Sequence, residues 1–325
     1  MASSVSRYVW GALLVPSLLA ASYVLASSPI VPKQLPAPTD PGFASLPLNS
    51  RARVIYPEDF IEGGAYVQLP MGRVRYWLTG PTFGKKATGF SYTTFMGGVT
   101  QMLPQDTAYD PQLYVVQLAL LLQHLNWTRV RLVGYSMGGA IAASFVASFS
   151  ALVEPDVVLI ASGGAGSPNR SMLSKFRHWW FVEHRVKRRL ATRIAQPDAE
   201  TAIQEIVRLQ AEHHRGYPRA VISSLHDGIL TKLQWAFSSP AWRDRRVLLI
   251  NGDRDSVIPP VAAQVLRQML ESAHASSPLE KSEGAPPEVV LVPVAGAAHD
   301  VTWTHTQEVT SAILGFWDSA GSTTG

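Results

Sequence analysis

Val130-Arg131-Leu132-Val133-Gly134-Tyr135-Ser136-Met137-Gly138-Gly139-Ala140 passes from a β-forming stretch, through Gly-x-Ser-x-Gly, into an Ala-rich stretch of helical character. A tight strand-to-helix turn at this point lifts the Ser136 hydroxyl clear of a sheet, and the flanking glycines let neighbouring backbone come close. The helix that follows sets its first amides beside the serine, so the Met137 N–H faces any oxyanion formed there. The five-residue pattern alone is weak. A strand directly before it and a helix directly after set it apart from an ordinary turn serine.

A nucleophilic serine needs a base and an acid, and after a turn of this kind they come in the order acid, then histidine. Leu248-Leu249-Ile250-Asn251-Gly252-Asp253-Arg254-Asp255 puts two carboxylates just past a strand end, the usual place for functional groups in a parallel sheet. Val292-Pro293-Val294-Ala295-Gly296-Ala297-Ala298-His299 ends a strand with a histidine in a loop of small residues. Of the nine histidines, His299 and His305 alone follow both the acid and a strand; His124, His213 and His214 read as surface residues. His299 would take the Ser136 proton and return it to the leaving group, with the acid holding the imidazole tautomer.

Outward from this centre the pattern is α/β. Ala65–Leu69 and Val74–Leu78, joined by Pro70–Arg73, read as a hairpin at a sheet edge. Asp110 to Trp127 carries Leu113, Val116, Leu120 and Leu121 at helical spacing. Four short β-rich runs follow: Val130–Val133, Val157–Ile160, Val247–Ile250 and Val289–Val292. Three of them are nearly all apolar, as parallel strands covered on both faces should be. The segments between are long enough for crossover helices, so the expected fold is a doubly wound, mostly parallel sheet. More than eighty residues separate the second run from the third, which predicts an inserted helical cap. It opens on Lys175 to Arg189, where bases interleave with Trp179, Trp180 and Phe181. This stretch is either a lid leaning on an anionic membrane or a solvated basic helix packing its aromatics inward. The expected segments are 1–28, anchor or signal; 29–50, Pro-rich linker; 51–161, first part of the core; 162–243, helical cap; and 244–325, second part of the core.

Composition narrows the chemistry. With 325 residues, 46% hydrophobic and 16% charged, the chain can bury a sizeable core. The absence of cysteine excludes disulfides, a thiolate nucleophile and Cys-based metal sites. A formal charge of +4 permits attraction to an anionic surface, but no nucleic-acid-binding module accompanies it. No cofactor or metal is called for. Gly80 to Lys85 is one residue short of a phosphate loop and lacks the Ser/Thr after the lysine. Tyr8 to Ala26 is uncharged, follows Arg7, and precedes the Pro-rich stretch Pro29 to Pro41. Its length suits a single membrane crossing; Ala26-Ser27-Ser28 would instead suit a cleaved signal, and the acid-free start a transit peptide.

Taken together, Leu132 to Ile141, Gly252-x-x-Asp255-x-x-x-Pro259 and Gly296-x-x-His299 resemble the α/β-hydrolase superfamily, in its serine esterase and monoacylglycerol-lipase-like branch. The resemblance implies Asp255, rather than Asp253, as the acid. It also implies cleavage of carboxylic esters, lipid-like ones first, through an acyl-enzyme. A C–C bond hydrolase of the same fold and a non-catalytic, membrane-tethered remnant are the alternatives.

Two features of that family are missing here: a His-Gly turn that supplies a second oxyanion amide, and a strand ending in Asp-x-x-Gly-x-Gly-x-Ser. In their place stands Lys86 to Leu103, without strand-helix logic. Taking the last base of each possible codon with the first two of the next, this stretch can encode GYRVLLYDLYGRGYSDAP, which is similar to the family's strand and loop. The sheet is therefore expected to be incomplete around residues 86–103. The codon reading implies the loss of an exon carrying the His-Gly turn, with the next read in another phase, through a faulty gene assignment or a true splice form.

Overall fold

The computed structural model describes residues 46–55, 64–70, 72–79, 89–93, 108–165, 223–224, 228–230, 233–272 and 284–321. All of them lie in the compact unit Ala37–Gly325. After a short helix, α1 (Arg51–Ile55), come β1 (Gly64–Leu69), β2 (Gly72–Thr79) and β3 (Gly89–Thr93), an antiparallel sheet in the order β1-β2-β3. Next are α2 (Pro111–His124), β4 (Val130–Tyr135), α3 (Met137–Ser148) and β5 (Val153–Ile160). The chain closes with α4 (Gln234–Phe237), β6 (Arg246–Gly252), α5 (Pro260–Ser272), β7 (Glu288–Val294), α6 (Val301–Thr304) and α7 (Thr306–Gly321). Strands β4 to β7 form a second sheet, wholly parallel and in sequence order.

Local chemistry accounts for most of these boundaries. The hairpin closes with Leu69 opposite Gly72. Helix α2 starts where Asp110 accepts the Leu113 amide at 2.8 Å and Pro111 takes the first helical position, where its missing N–H costs nothing. Strand β5 begins four residues earlier than its apolar run. Pro155 cannot donate to a ladder, and the register slips there, Val130 opposite Val153 but Leu132 opposite Val157.

The core lies on both faces of the parallel sheet. Val157, Leu159, Val247 and Leu249 pack with Leu113, Leu118, Phe145, Leu266 and Leu270 of α2, α3 and α5. Val158, Ile160, Leu248 and Ile250 face the other way, onto Val301, Val309 and Phe316 of α6 and α7. Strands β5 and β6 are thus covered on both sides, as their apolar sequences require. Strand β4, the one run broken by a charge, is covered on one face: Arg131 and Val133 point outward and Val133 is 47% exposed. It is the end strand of its sheet, and the second cluster reaches only β5 to β7 and Tyr135.

The stretch 86–103 is not wholly without strand. Gly89–Thr93 pairs antiparallel with Arg75–Thr79 of β2. Phe90, Tyr92 and Thr93 favour extended backbone whatever the phase of their codons, and the free edge of β2 supplies the ladder. Among the described residues β3 and β4 share no ladder, and the described strands fall into two sheets. The antiparallel sheet packs on α2, with Val67, Leu69, Val74 and Tyr76 around Leu121. Residues 80–88 and 94–107 lie outside the described residues, as do Tyr8–Ala26, Lys175–Arg189 and most of the expected cap. Among the described residues no helix is long and apolar enough to cross a membrane.

Candidate active site

Ser136 sits between the last residue of β4 and the first of α3. Its backbone takes φ 55° and ψ −119°, a conformation that a non-glycine residue holds only where its surroundings enforce it. They do. The Ser136 amide donates to Ile160 O at 2.9 Å, continuing the ladder, and its carbonyl accepts from Gly163 N at 2.9 Å and Gly139 N at 3.1 Å. A Cβ on Gly134 would stand 2.4 Å from Gly138 O, and one on Gly139 would stand 2.3 Å from Ser162 Oγ. One on Gly138 would meet nothing within 4 Å. The close packing that the Gly-x-Ser-x-Gly pattern assigns to its second glycine therefore belongs to Gly139, the residue beyond.

The acid and the histidine converge on the serine from two other strand ends. Asp255 follows β6 in a turn closed by its own carboxylate, whose Oδ1 accepts the Val257 and Ile258 amides, each at 2.8 Å. Its Oδ2 accepts from His299 Nδ1 at 2.8 Å, and the Asp255 side chain is fully shielded from solvent. His299 Nε2 lies 3.0 Å from Ser136 Oγ. With the proton on Nδ1 held by Asp255, Nε2 is left as the acceptor for the serine hydroxyl. Asp253 serves differently: its Oδ1 accepts the Gly296 amide at 2.7 Å and so pins the loop that carries His299. His305 faces Thr304 Oγ1 at 2.8 Å, and His124 faces the Tyr76 hydroxyl at 3.4 Å.

Two residues that sequence reasoning did not single out, Asn251 and Tyr135, complete the arrangement together with Gly252 of the acid-loop motif. Asn251 donates to Gly252 O at 3.0 Å and Ile258 O at 3.2 Å, tying the acid turn across its base. Gly252 lets the histidine loop approach, because a Cβ there would stand 2.3 Å from Ala297 O. The Tyr135 hydroxyl donates to His299 O, and its ring stacks on the imidazole with centroids 5.5 Å apart. Burial, reinforced by the Asp255 and Asp300 carboxylates and partly offset by the Thr302 hydroxyl, pushes the Tyr135 phenol up to about 12. It remains a donor throughout the range in which a histidine base works. An amide at position 251 or a phenol at 135 carries no motif of its own, since each acts only on a loop brought to it by the fold.

Met137, first in α3, has no intrahelical acceptor for its amide. Its position after the nucleophile is the one from which a backbone N–H can stabilise an oxyanion. The segment where the family it resembles carries a second donor, expected to be missing here, lies outside the described residues. Among the described residues no group of histidine and carboxylate side chains could hold a metal ion.

The family profile described as "Serine aminopeptidase, S33" matches residues 109–279, more than half of the chain. The chain belongs to that family of α/β-hydrolases. Solved structures agree in fold at low identity. A hydrolase from Pseudomonas aeruginosa PA01 has 14% identity and a TM-score of 0.58, over 79% of this chain and 98% of its own. A membrane phospholipase A, described as a bacterial virulence factor, has 16% identity and a TM-score of 0.57, over 97% and 98%. A bromoperoxidase from Bacillus anthracis has 16% identity and a TM-score of 0.55, over 78% and 99%. At such identities the likeness is one of fold alone. No curated protein matches the sequence. This α/β-hydrolase carries its parallel sheet, elbow and strand-end loops in the chain order that its sequence predicts.

Proposed function

We propose that this α/β-hydrolase cleaves carboxylic esters through an acyl-enzyme on Ser136. The observation that carries this reading is the relay from Ser136 Oγ to His299 Nε2 at 3.0 Å and from His299 Nδ1 to Asp255 Oδ2 at 2.8 Å. His299 accepts the hydroxyl proton as Oγ attacks the ester carbonyl, and the Met137 N–H stabilises the oxyanion. The intermediate collapses, the C–O bond breaks, and His299 passes the proton to the departing alcohol. Water, deprotonated by the same imidazole, then releases the acid. Asp255, held by two backbone amides, keeps the tautomer and stabilises the imidazolium formed on the way.

Lipid-like acyl esters are the substrate class we favour, with the enzyme on a membrane through Tyr8–Ala26. An apolar anchor and an interleaved basic and aromatic lid would bring the site to an acyl-rich surface. One structure of similar fold is a membrane phospholipase A. A serine at the elbow argues against superfamily chemistries that begin from an aspartate there.

Ser136→Ala should abolish both fluorophosphonate labelling and nitrophenyl-ester hydrolysis; labelling that persists in the variant defeats the assignment. Monoacylglycerols, vinylogous diketones and aminoacyl nitroanilides separate the substrate classes. Turnover of diketones without esters would indicate a C–C bond hydrolase, and turnover of nitroanilides without esters a peptidase. Retention of the full chain in carbonate-washed membranes, and its release on deletion of residues 1–28, would establish the anchor. A mature chain starting near Ser27 would establish a cleaved signal instead.

A further inference from the structure

Residues 295–300, which carry His299, belong to no strand or helix, so neighbours must hold the loop. Asp253 takes the Gly296 amide at 2.7 Å, and the Arg254 amide donates to Ala297 O at 2.9 Å. The imidazole is held at one edge by Asp255 and meets Ser136 at the other. Those two contacts define an axis through the ring and leave rotation about it open. Tyr135 closes that freedom. Its ring lies on the imidazole face at 29° between planes, while its hydroxyl donates to the carbonyl of the same histidine.

We infer that Tyr135 is a positioning residue for His299: hydroxyl on the main chain, ring on the imidazole, so that the strand end bearing the nucleophile also sets its base. The inference rests on the ester-hydrolase reading for its kinetic consequence, but not for the geometry. The groups facing the pair are Asp255 from the acid turn, Asp300 beside the histidine, Thr302 from α6 and Ser136 itself. A large apolar residue at 135 would also fill the rim of the core cluster there; only a tyrosine both fills it and donates.

The test compares the full chain with Tyr135→Phe and Tyr135→Leu, using nitrophenyl-ester kinetics and the His299 Nδ1–H proton in a 15N-histidine NMR spectrum. Tyr135→Phe keeps the stack and loses the anchor, so kcat should fall about 5-fold, the equivalent of one net hydrogen bond. KM should stay within about 2-fold, because substrate binding is not touched. Tyr135→Leu loses both and should lower kcat on the order of 10²-fold, as misplacement of a catalytic group does. The His299 proton, sharp in the unaltered chain, should broaden in Tyr135→Phe and more so in Tyr135→Leu. Unaltered kcat with a sharp signal in both variants overturns the inference, as does a loss confined to KM. Should Tyr135→Leu not fold, Tyr135→Phe decides alone: unchanged kcat and an unchanged signal overturn the inference. If the unaltered chain neither labels with fluorophosphonate nor turns over ester, it is the ester-hydrolase reading that fails. The His299 signal across the variants then decides the clamp by itself.

Discussion

At Ser136 the cost of presenting the hydroxyl at the strand end is stored in the backbone. A non-glycine residue at φ 55° and ψ −119° carries strain of about 1–3 kcal/mol. Ser136→Gly should therefore raise the urea midpoint while abolishing labelling, whereas Ser136→Ala should do only the latter; equal midpoints for the two would show the turn to be relaxed. Asp255→Asn would keep an acceptor for the Val257 and Ile258 amides but present the wrong partner to Nδ1. A kcat loss on the order of 10⁴ is expected, with the fold intact. Asp253→Ala touches only the loop amide and should cost far less; equal losses for the two carboxylates would reverse their roles. That Ser136 and His299 would meet was readable in advance, because each follows a strand end in the order that the elbow pattern requires. Resemblance separated Asp255 from Asp253, and the clamp by Tyr135 left no trace, because nothing in the order of residues says which ring the histidine loop will land on.

Between elements, glycines decide how close helix and sheet can come. Gly139 of α3 abuts Ser162 just past β5, while Gly138 faces open space. Gly139→Ala should destabilise by about 1–3 kcal/mol through overpacking, because Ser162 Cβ and Cα are also close and cannot both retreat. Gly138→Ala, at the second position of α3 with open space for its Cβ, should be neutral or stabilise by up to about 1 kcal/mol through the unfolded chain. Thermal melts of the two variants would check this, and equal shifts would refute the packing difference. On the same helix Phe145 is wholly buried against the parallel sheet, and its truncation to alanine should cost about 3–5 kcal/mol. The strands of the parallel sheet were visible as apolar runs, and helix α2 through its spacing. Gly139 and the early start of β5 were not, since one depends on a neighbour's backbone and the other on the register beside Pro155.

On the scale of the whole molecule, two phenols tie stability to alkaline pH. Burial raises both Tyr114 and Tyr135 above the ordinary value of 10.0. Because the folded state holds these protons more tightly, their contribution is complete below about pH 10 and is lost as pH rises through the folded values. The double variant Tyr114→Phe, Tyr135→Phe should lose less stability between about pH 9.5 and pH 11 than the parent, measured as the change in urea midpoint; parallel curves would remove the linkage. The second molecular property is the division of the described strands into two sheets after β3. The five residues of β3 fall where the shifted codon phase reads Val-Leu-Leu-Tyr, the strand of the family it resembles. A chain carrying the shifted reading of 86–103, preceded by a His-Gly strand, should hydrolyse esters on the order of 10²–10³ faster, the worth of one oxyanion donor. A peptide covering residues 86–103, recovered from cells by mass spectrometry, would mark the present phase as a true isoform. The sequence by itself determined the parallel core and the residue types at each strand end, because periodicity and turn chemistry act over a few neighbours. Only the tertiary structure decided that Asp253 pins the histidine loop, that Gly139 rather than Gly138 is packed, and that Tyr135 lies against His299. Each of those depends on where two distant strand ends come to rest, a distance set by the ladder and the packed helices rather than by any local preference.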